Sequence, residues 1–548
     1  MAYLLSFCTG EILAGRRARL AADAEVGPLF GSRRVLSYFG PAPIEGRYDA
    51  PQAMNAPLYP YSPDTGRTPD NLSGHPGWPR KIAILNDYVR IPYANGSSFA
   101  SQMLYREFSK RGHEATVVGP HDPTARPEEL PERHITLPSV PLRVHPGVYL
   151  PFPGAKALAR IADEKFDMVL AQSGSRLTEL GVWLRKKHRV PMLCVNTVHL
   201  PSVVNVILPD SLRRHERLQN LLSDRVVPWA QRQNAALYNQ TDGVVVLSSG
   251  LKRYWQEQGV LAPIHVIPRS VDPAIFNRTT NVDPYPSHMK RGYRLLVVCR
   301  HTREKEVERL LNIFASLIAV ACPDATLTLI GDGPDHAAFK AHAERLGVRE
   351  RTLFVGEKPL TEVPHWYQHA DLFVYTSLSE TYGQVVSEAM WCGLPVIAFA
   401  DNMGVSEQVQ TDKNGVLIPS GNNVEEANWR FANAVLRLLR DSAQRKHLGH
   451  QASQLVRHLR HPERGIAAYY EAFDEAREHC SRETTESSPR QAFGRLVNMS
   501  VVHGLLALGG CLRPPSAMDL ASIRQPVWNE QARASEAPLS AVRPRSVK

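Results

Sequence analysis

The segment Ser377–Phe399 reads SLSETYGQVVSEAMWCGLPVIAF, and it holds two carboxylates, Glu380 and Glu388, separated by seven residues. Val385, Val386, Ala389 and Met390 have the spacing of one helix face, Gly393 suits a helix C-terminus and Pro395 suits the start of the next strand. Glu388 therefore falls on a helix and Glu380 in the loop just before it. The backbone N–H groups of Thr381, Tyr382 and Gly383 then lie at the helix N-terminus, where free donors and the positive dipole end suit phosphate oxygens. Gly383 permits close backbone approach. The same residues also fit a plainer role, with Glu380 an acid matched to the helix dipole and Glu388 a solvated helix residue.

A second group is Val297-Val298-Cys299-Arg300-His301-Thr302-Arg303-Glu304-Lys305. A strand ends at Cys299, and Arg300 and Lys305 stand in the loop before a helix. Ligands of open α/β sheets bind outside the carboxyl ends of strands. A planar guanidinium and a compact ammonium at that edge suit a pyrophosphate; a solvated basic loop is the alternative. Gly331, in Leu329-Ile330-Gly331-Asp332-Gly333-Pro334, marks a glycine turn after another strand, without the GxGxxG pattern of dinucleotide binding. His199, in Asn196-Thr197-Val198-His199, follows a strand end in the first half of the chain, and Gly96 lies in the first strand–helix loop.

These residues need sheets to carry them. Strand and helix patterns alternate from Lys81-Ile82-Ala83-Ile84-Leu85 onward and restart at Arg294–Val298. Two such series predict an α/β protein of two doubly wound, Rossmann-like parallel sheets facing a cleft. The domains are expected at 80–265 and 266–480, the second carrying a return helix. Nine prolines between Pro41 and Pro79 mark residues 1–79 as a disordered extension. Residues 481–548, with nine basic and five acidic residues, read as a mostly disordered tail with an amphipathic helix over 494–512.

The chain has 548 residues and a net charge of +10. The charge suits anionic partners, but the basic residues do not interleave with aromatics, which argues against nucleic acid. Seven scattered cysteines without CxxC fit reduced thiols in a cytoplasmic protein. Leu496–Leu512 is short for a membrane span and carries Asn498, Ser500 and His503.

Together the motifs resemble the family 4 retaining glycosyltransferases of GT-B fold over residues 81 to about 475. Arg300 and Lys305, Gly331-Asp332-Gly333-Pro334, Glu380-Thr381-Tyr382-Gly383, Glu388-Ala389-Met390 and Gly393-Leu394-Pro395 carry the likeness, and Pro268-Arg269-Ser270-Val271-Asp272-Pro273 looks like the interdomain segment. The layout is similar to the sulfoquinovosyl- and mannosyl-lipid branch. The resemblance implies that Arg300 and Lys305 hold the diphosphate of a UDP- or GDP-linked sugar and that Glu388 binds the ribose. Glu380 and the amides of Thr381–Gly383 would bind sugar hydroxyls and phosphates, with Gly331 at the same donor site. His199 would touch the sugar from the first domain, and Gly96 would let that domain's loop close on the phosphates. Acceptor would bind mainly to the first domain. The family usually has Gly where Cys299 and Ser270 stand here. No DxD-type acid cluster appears among the motifs, so the expected hexosyl transfer requires neither metal nor cofactor. Leu200–Pro209, followed by Arg213, Arg214, His215 and Arg217, suits a lipid acceptor at an anionic membrane surface, and hence peripheral attachment. A sugar-nucleotide epimerase and a non-catalytic sugar-nucleotide binder are the other readings.

Overall fold

The run Lys81–Leu85 forms β1, with four of its five side chains buried. The computed structural model describes residues 80–91, 96–141, 149–172, 176–197, 199, 220, 224–225, 227–279 and 281–482. Around β1 are β2 (Glu114–Pro120), β3 (His134–Leu137), β6 (Met168–Ala171), β7 (Met192–Val195), β8 (Gly243–Val246) and β9 (Ile264–Val266). They form a parallel seven-stranded sheet in the order β3-β2-β1-β6-β7-β8-β9, while β4 (Ser139–Pro141) and β5 (Tyr149–Pro151) make a separate antiparallel pair. Helices α1 (Gly96–Lys110), α2 (Ala155–Asp163), α3 (Arg176–His188), α4 (Val227–Tyr238) and α5 (Ser249–Glu257) lie between strands. Strands buried along their whole length, such as Met168–Ala171 and Met192–Val195, are what a sheet covered on both faces demands.

The second sheet is β12-β11-β10-β13-β14-β15, also parallel, from β10 (Tyr293–Val298), β11 (Ala325–Ile330), β12 (Thr352–Gly356), β13 (Leu372–Tyr375), β14 (Val396–Phe399) and β15 (Gly415–Ile418). Its helices are α6 (Val307–Ile313), α7 (His336–Arg345), α8 (Val363–Gln368), α9 (Gln384–Trp391), α10 (Gly404–Gln408), α11 (Val424–Arg440), α12 (Ser442–Leu459) and α13 (Pro462–Arg482). Beyond α6 the helix passes through a π turn at Phe314–Ile318. The strand order reverses between β1 and β6 in one sheet and between β10 and β13 in the other. Such points open a crevice at the carboxyl edge. Both sheets belong to one compact unit.

Two boundaries differ from the sequence expectation. Residue 265 falls inside β9, so the chain crosses between sheets just after it, through Ile267–Asp272. The last helix runs to Arg482 and packs on the first sheet's side. Tyr469, Tyr470 and Phe473 stack around Phe108 of α1. His479 Nδ1 lies 3.0 Å from Asp242 Oδ1, a buried carboxylate already held by Arg185. The expectations for residues 1–79, the 494–512 helix, Leu200–Pro209 and Arg213–Arg217 lie outside the described residues. No helix among the described residues is long and apolar enough to cross a membrane.

Candidate functional site

The reversal point of the second sheet holds the strongest polar constellation. Chain leaving β10 carries Arg300 and then Lys305, in the short turn Arg303–Lys305. Chain leaving β13 carries Glu380. Lys305 Nζ lies 2.6 Å from Glu380 Oε1, and the same oxygen accepts from Tyr375 Oη at 2.7 Å and Ser377 Oγ at 2.8 Å. Thr376 Oγ1 donates to the carbonyls of Lys305 and Glu306, at 3.2 and 3.0 Å, which fixes one loop on the other. Burial opposes both charges. For Glu380 the Lys305 charge and the hydrogen bonds from Lys305, Tyr375 and Ser377 outweigh it, holding the carboxyl below its ordinary value. For Lys305 burial likewise opposes the charge, and Glu380 outweighs it, raising the ammonium.

Gly383 stands at the N-terminus of α9 with φ 78°, a left-handed conformation that glycine adopts without strain. The amides of Thr381, Tyr382 and Gly383 have no hydrogen-bond acceptor among the described residues. Glu388, one turn further, is not solvated: it is 7% exposed and accepts from Tyr367 Oη at 3.3 Å. Burial pushes its carboxyl up to about 7, against the lowering effect of hydrogen bonds from Tyr367 and Gln384 and of the Arg269 charge. Tyr382 offers its backbone only. Its ring packs with the apolar core of the first sheet, and its hydroxyl lies 2.8 Å from Ser387 Oγ.

The first sheet's side reaches the same loop. Thr381 Oγ1 donates to the Thr197 carbonyl at 3.4 Å, and Ser248 Oγ to the Thr381 carbonyl at 3.2 Å. His199, two residues beyond Thr197, is half-buried, its ring edge-on to Tyr254 at 4.8 Å, and burial lowers its pKa. Gly96 is the first residue of α1 rather than part of the preceding loop. Arg300 is exposed and has no side-chain partner among the described residues, so the structure joins Lys305, and not Arg300, to Glu380. Gly331, with φ 127°, lies so close to the Cys299 carbonyl that any side chain would collide with it. It lets β11 end against β10 rather than offering a group of its own. The Cys299 thiol is buried and pushed up to about 12 chiefly by desolvation, so it stays neutral beside Lys305.

Sequence reading passed over Arg269, which was legible only as part of the crossing segment. Burial lowers its pKa, while Tyr469, Tyr382, Glu380 and Glu388 act on it electrostatically in the opposite sense. It thus stands within the field of both candidate carboxylates and lines a cavity at the foot of the cleft. The signal was an arginine in the segment that joins the two sheets.

Residues 94–275 match the family described as Glycosyltransferase Family 4, and residues 286–455 match Glycosyl transferases group 1. The chain is 25% identical over 326 residues to the alpha-monoglucosyldiacylglycerol synthase of Streptococcus pneumoniae, covering 58% of this chain and 70% of that protein. It is 26% identical over 369 residues to the GDP-mannose-dependent alpha-mannosyltransferase of Mycobacterium tuberculosis, covering 66% and 88%. The crystal structure of Anabaena HepE in complex with UDP and glucose superposes with a TM-score of 0.55 at 17% identity, over 72% of this chain and 99% of that one. With two Rossmann-like sheets in GT-B arrangement, and a match to each half in the proper order, the chain belongs to the family 4 glycosyltransferases.

Proposed function

We propose that the protein transfers a hexosyl group, with retention, from a nucleoside-diphosphate sugar to a hydroxyl acceptor, and that the acceptor is borne by a membrane lipid. The observation that carries the donor half is the half-buried Lys305–Glu380 pair at the sheet's reversal point, next to the N-terminus of α9. A diphosphate entering there meets the ammonium of Lys305, the guanidinium of Arg300 and the amides of Thr381–Gly383. Lys305 and the loop amides are fixed before charge develops on the leaving group, which is what lowers a barrier most effectively. Glu380, held ionised, accepts from sugar hydroxyls; Glu388 accepts from the ribose; His199 and Gly96 approach from the other lobe. The bond from anomeric carbon to phosphate breaks through an oxocarbenium-like state, and the leaving phosphate takes the acceptor's proton on the same face. Charge neutralisation is assigned to these side chains and amides, without a metal.

The name of the pneumococcal synthase supports a lipid acceptor, that of the mannosyltransferase a GDP-linked donor, and the UDP in the HepE crystal structure a UDP-linked one. The test is a panel of UDP- and GDP-hexoses, read by thermal shift, donor hydrolysis and the anomeric configuration of the product. Stabilisation by one donor followed by an α-linked product supports the reading, since a ligand bound only by the folded state raises its melting temperature. An epimerised donor, or binding without turnover, overturns it. Sedimentation with anionic and neutral vesicles checks the membrane part, and absence of binding at low salt overturns that part alone.

A further inference from the structure

The chain leaving β7 carries Asn196, Thr197 and His199, and a series of aromatic rings braces it. Asn196 Nδ2 donates to Tyr238 Oη of α4 at 2.9 Å. Tyr238 stands edge-on to Trp255, Trp255 to Tyr254, and Tyr254 to His199, with ring centroids 4.9, 5.1 and 4.8 Å apart. The series starts in the core, where Tyr238 and Trp255 are buried, and ends at the half-buried rings of Tyr254 and His199. Edge-to-face contacts are directional, so they hold a ring at a set angle as well as a set distance.

Tyr254 is itself fixed. The side-chain amide of Gln231, buried on α4, donates to its hydroxyl. Leu251 and Trp255 are the buried apolar residues of α5, and Tyr254 stands beside them with its ring against His199. The N-terminus of the same helix is tied to the donor loop. Ser248, its N-cap, donates to the Thr381 carbonyl at 3.2 Å, and Thr381 Oγ1 donates to the Thr197 carbonyl at 3.4 Å. Thr381 is thus held by the cap of α5 and by the chain two residues before His199. One helix therefore touches both halves of the proposed donor site, the loop before α9 and the histidine of the first lobe.

We infer that Tyr254 is a positioning residue whose ring, fixed by Gln231 and Trp255, sets His199 against the donor sugar while α5 ties that setting to the donor loop. The inference rests on the transferase reading above and deepens it, because it assigns the support of a group that reading uses. His199 lies four residues past the end of β7, so the strand alone does not fix its ring.

The test uses the full chain and donor hydrolysis, which needs no acceptor, with UDP-glucose and GDP-mannose as probes. Tyr254→Phe, Tyr254→Leu, His199→Ala and the double variant Tyr254→Leu, His199→Ala are compared with wild type. Tyr254→Leu is expected to lower kcat about 10- to 100-fold, the scale of a displaced reacting geometry. KM and the affinity for UDP or GDP are expected to stay within about twofold of wild type, the mark of a group that acts in the transition state and not in ground-state binding. Tyr254→Phe keeps the ring and is expected to keep kcat within about threefold of wild type. The double variant is expected to be no slower than His199→Ala alone, because a residue that acts through His199 then has nothing to act on. Losses that multiply in the double variant would mean a role independent of His199 and would overturn the inference. So would an unchanged kcat in Tyr254→Leu, a phenylalanine variant as slow as the leucine one, a loss shared by nucleotide affinity, or a His199→Ala protein as fast as wild type. If Tyr254→Leu fails to fold, Tyr254→Met takes its place in both comparisons, since an unbranched side chain fills irregular gaps. A wild-type protein that binds neither nucleotide and cleaves neither donor would sink the transferase reading and the inference with it, whereas the other adverse results leave that reading standing.

Discussion

The Lys305 ammonium and the Glu380 carboxylate sit 2.6 Å apart, and Tyr375 and Ser377 donate to the same carboxylate oxygen. The pair joins the loops leaving two neighbouring strands, so it is a structural clamp as well as a candidate donor site. Lys305→Ala leaves the half-buried Glu380 carboxylate without its counter-ion, a loss of about 1–3 kcal/mol in stability. Activity should fall about 30- to 160-fold, mostly in kcat, for about 2–3 kcal/mol of lost transition-state stabilisation. The double variant Lys305→Met, Glu380→Gln should recover most of the stability and none of the activity. Denaturant melts and steady-state kinetics on the three proteins separate the two roles; kcat unchanged in a folded Lys305→Ala protein would remove Lys305 from the mechanism.

Glu388 gives a pH dependence whose sign follows from burial. Its carboxyl titrates at about 7 in the fold against an ordinary 4.5. A raised value means that its contribution to stability is complete below 4.5 and is lost as pH climbs toward 7. Glu388→Gln should therefore flatten the decline of Tm across that window. Nucleotide binding runs the other way, because the ribose hydroxyls need the ionised acceptor. Affinity for UDP or GDP should improve from pH 6 to pH 8, by at most about tenfold per unit below the midpoint. The glutamine variant should bind more weakly with no such slope. Isothermal titration at pH 6, 7 and 8 decides it.

Arg269 tunes that midpoint. Its charge opposes the rise in the Glu388 pKa. Arg269→Met keeps the apolar stem and removes the cation, so the pH at which nucleotide affinity is half-recovered should move upward from about 7. A loss of affinity with an unmoved midpoint would mean that Arg269 touches the ligand directly instead of acting through Glu388.

The parts legible in the sequence were those written in local pattern. β1 and β10 fall on the apolar runs that announced them, and α9 runs between Gly383 and Gly393 as its spacing and glycines required. Short strands were harder. Ile264-His265-Val266 is three half-buried residues at a sheet edge, with neither the length nor the alternation that marks a strand. Tertiary placement was the other gap. Nothing local in α13 says that Tyr469 and Tyr470 turn back onto Phe108, about 360 residues earlier. The same limit hid Arg269, whose meaning comes from what surrounds it. Arg300 and Lys305 looked equivalent in sequence, and only the fold separates an exposed cation from a half-buried ion pair.

The two lobes also meet through a charged helix cap. Ser249 N and Oγ each lie 2.6 Å from Glu407 Oε2, so a carboxylate from α10 caps the N-terminus of α5 in the other lobe. A carboxylate there gains from the helix dipole as well as from two charge-assisted hydrogen bonds. Beside it, Gly250 lets α5 approach the Asn402 carbonyl and Met403 too closely for a side chain. Glu407→Ala removes the cap without touching the donor residues and weakens lobe contact by about 1.5–3 kcal/mol. The expected result is a larger radius of gyration by small-angle scattering and a lower kcat, since catalysis needs both lobes on one substrate. UDP or GDP affinity, which rests on the second lobe, should change little. Glu407→Gln keeps a hydrogen-bond acceptor and should lie between wild type and alanine in both readouts. An unchanged radius with unchanged kcat would make the contact incidental to closure.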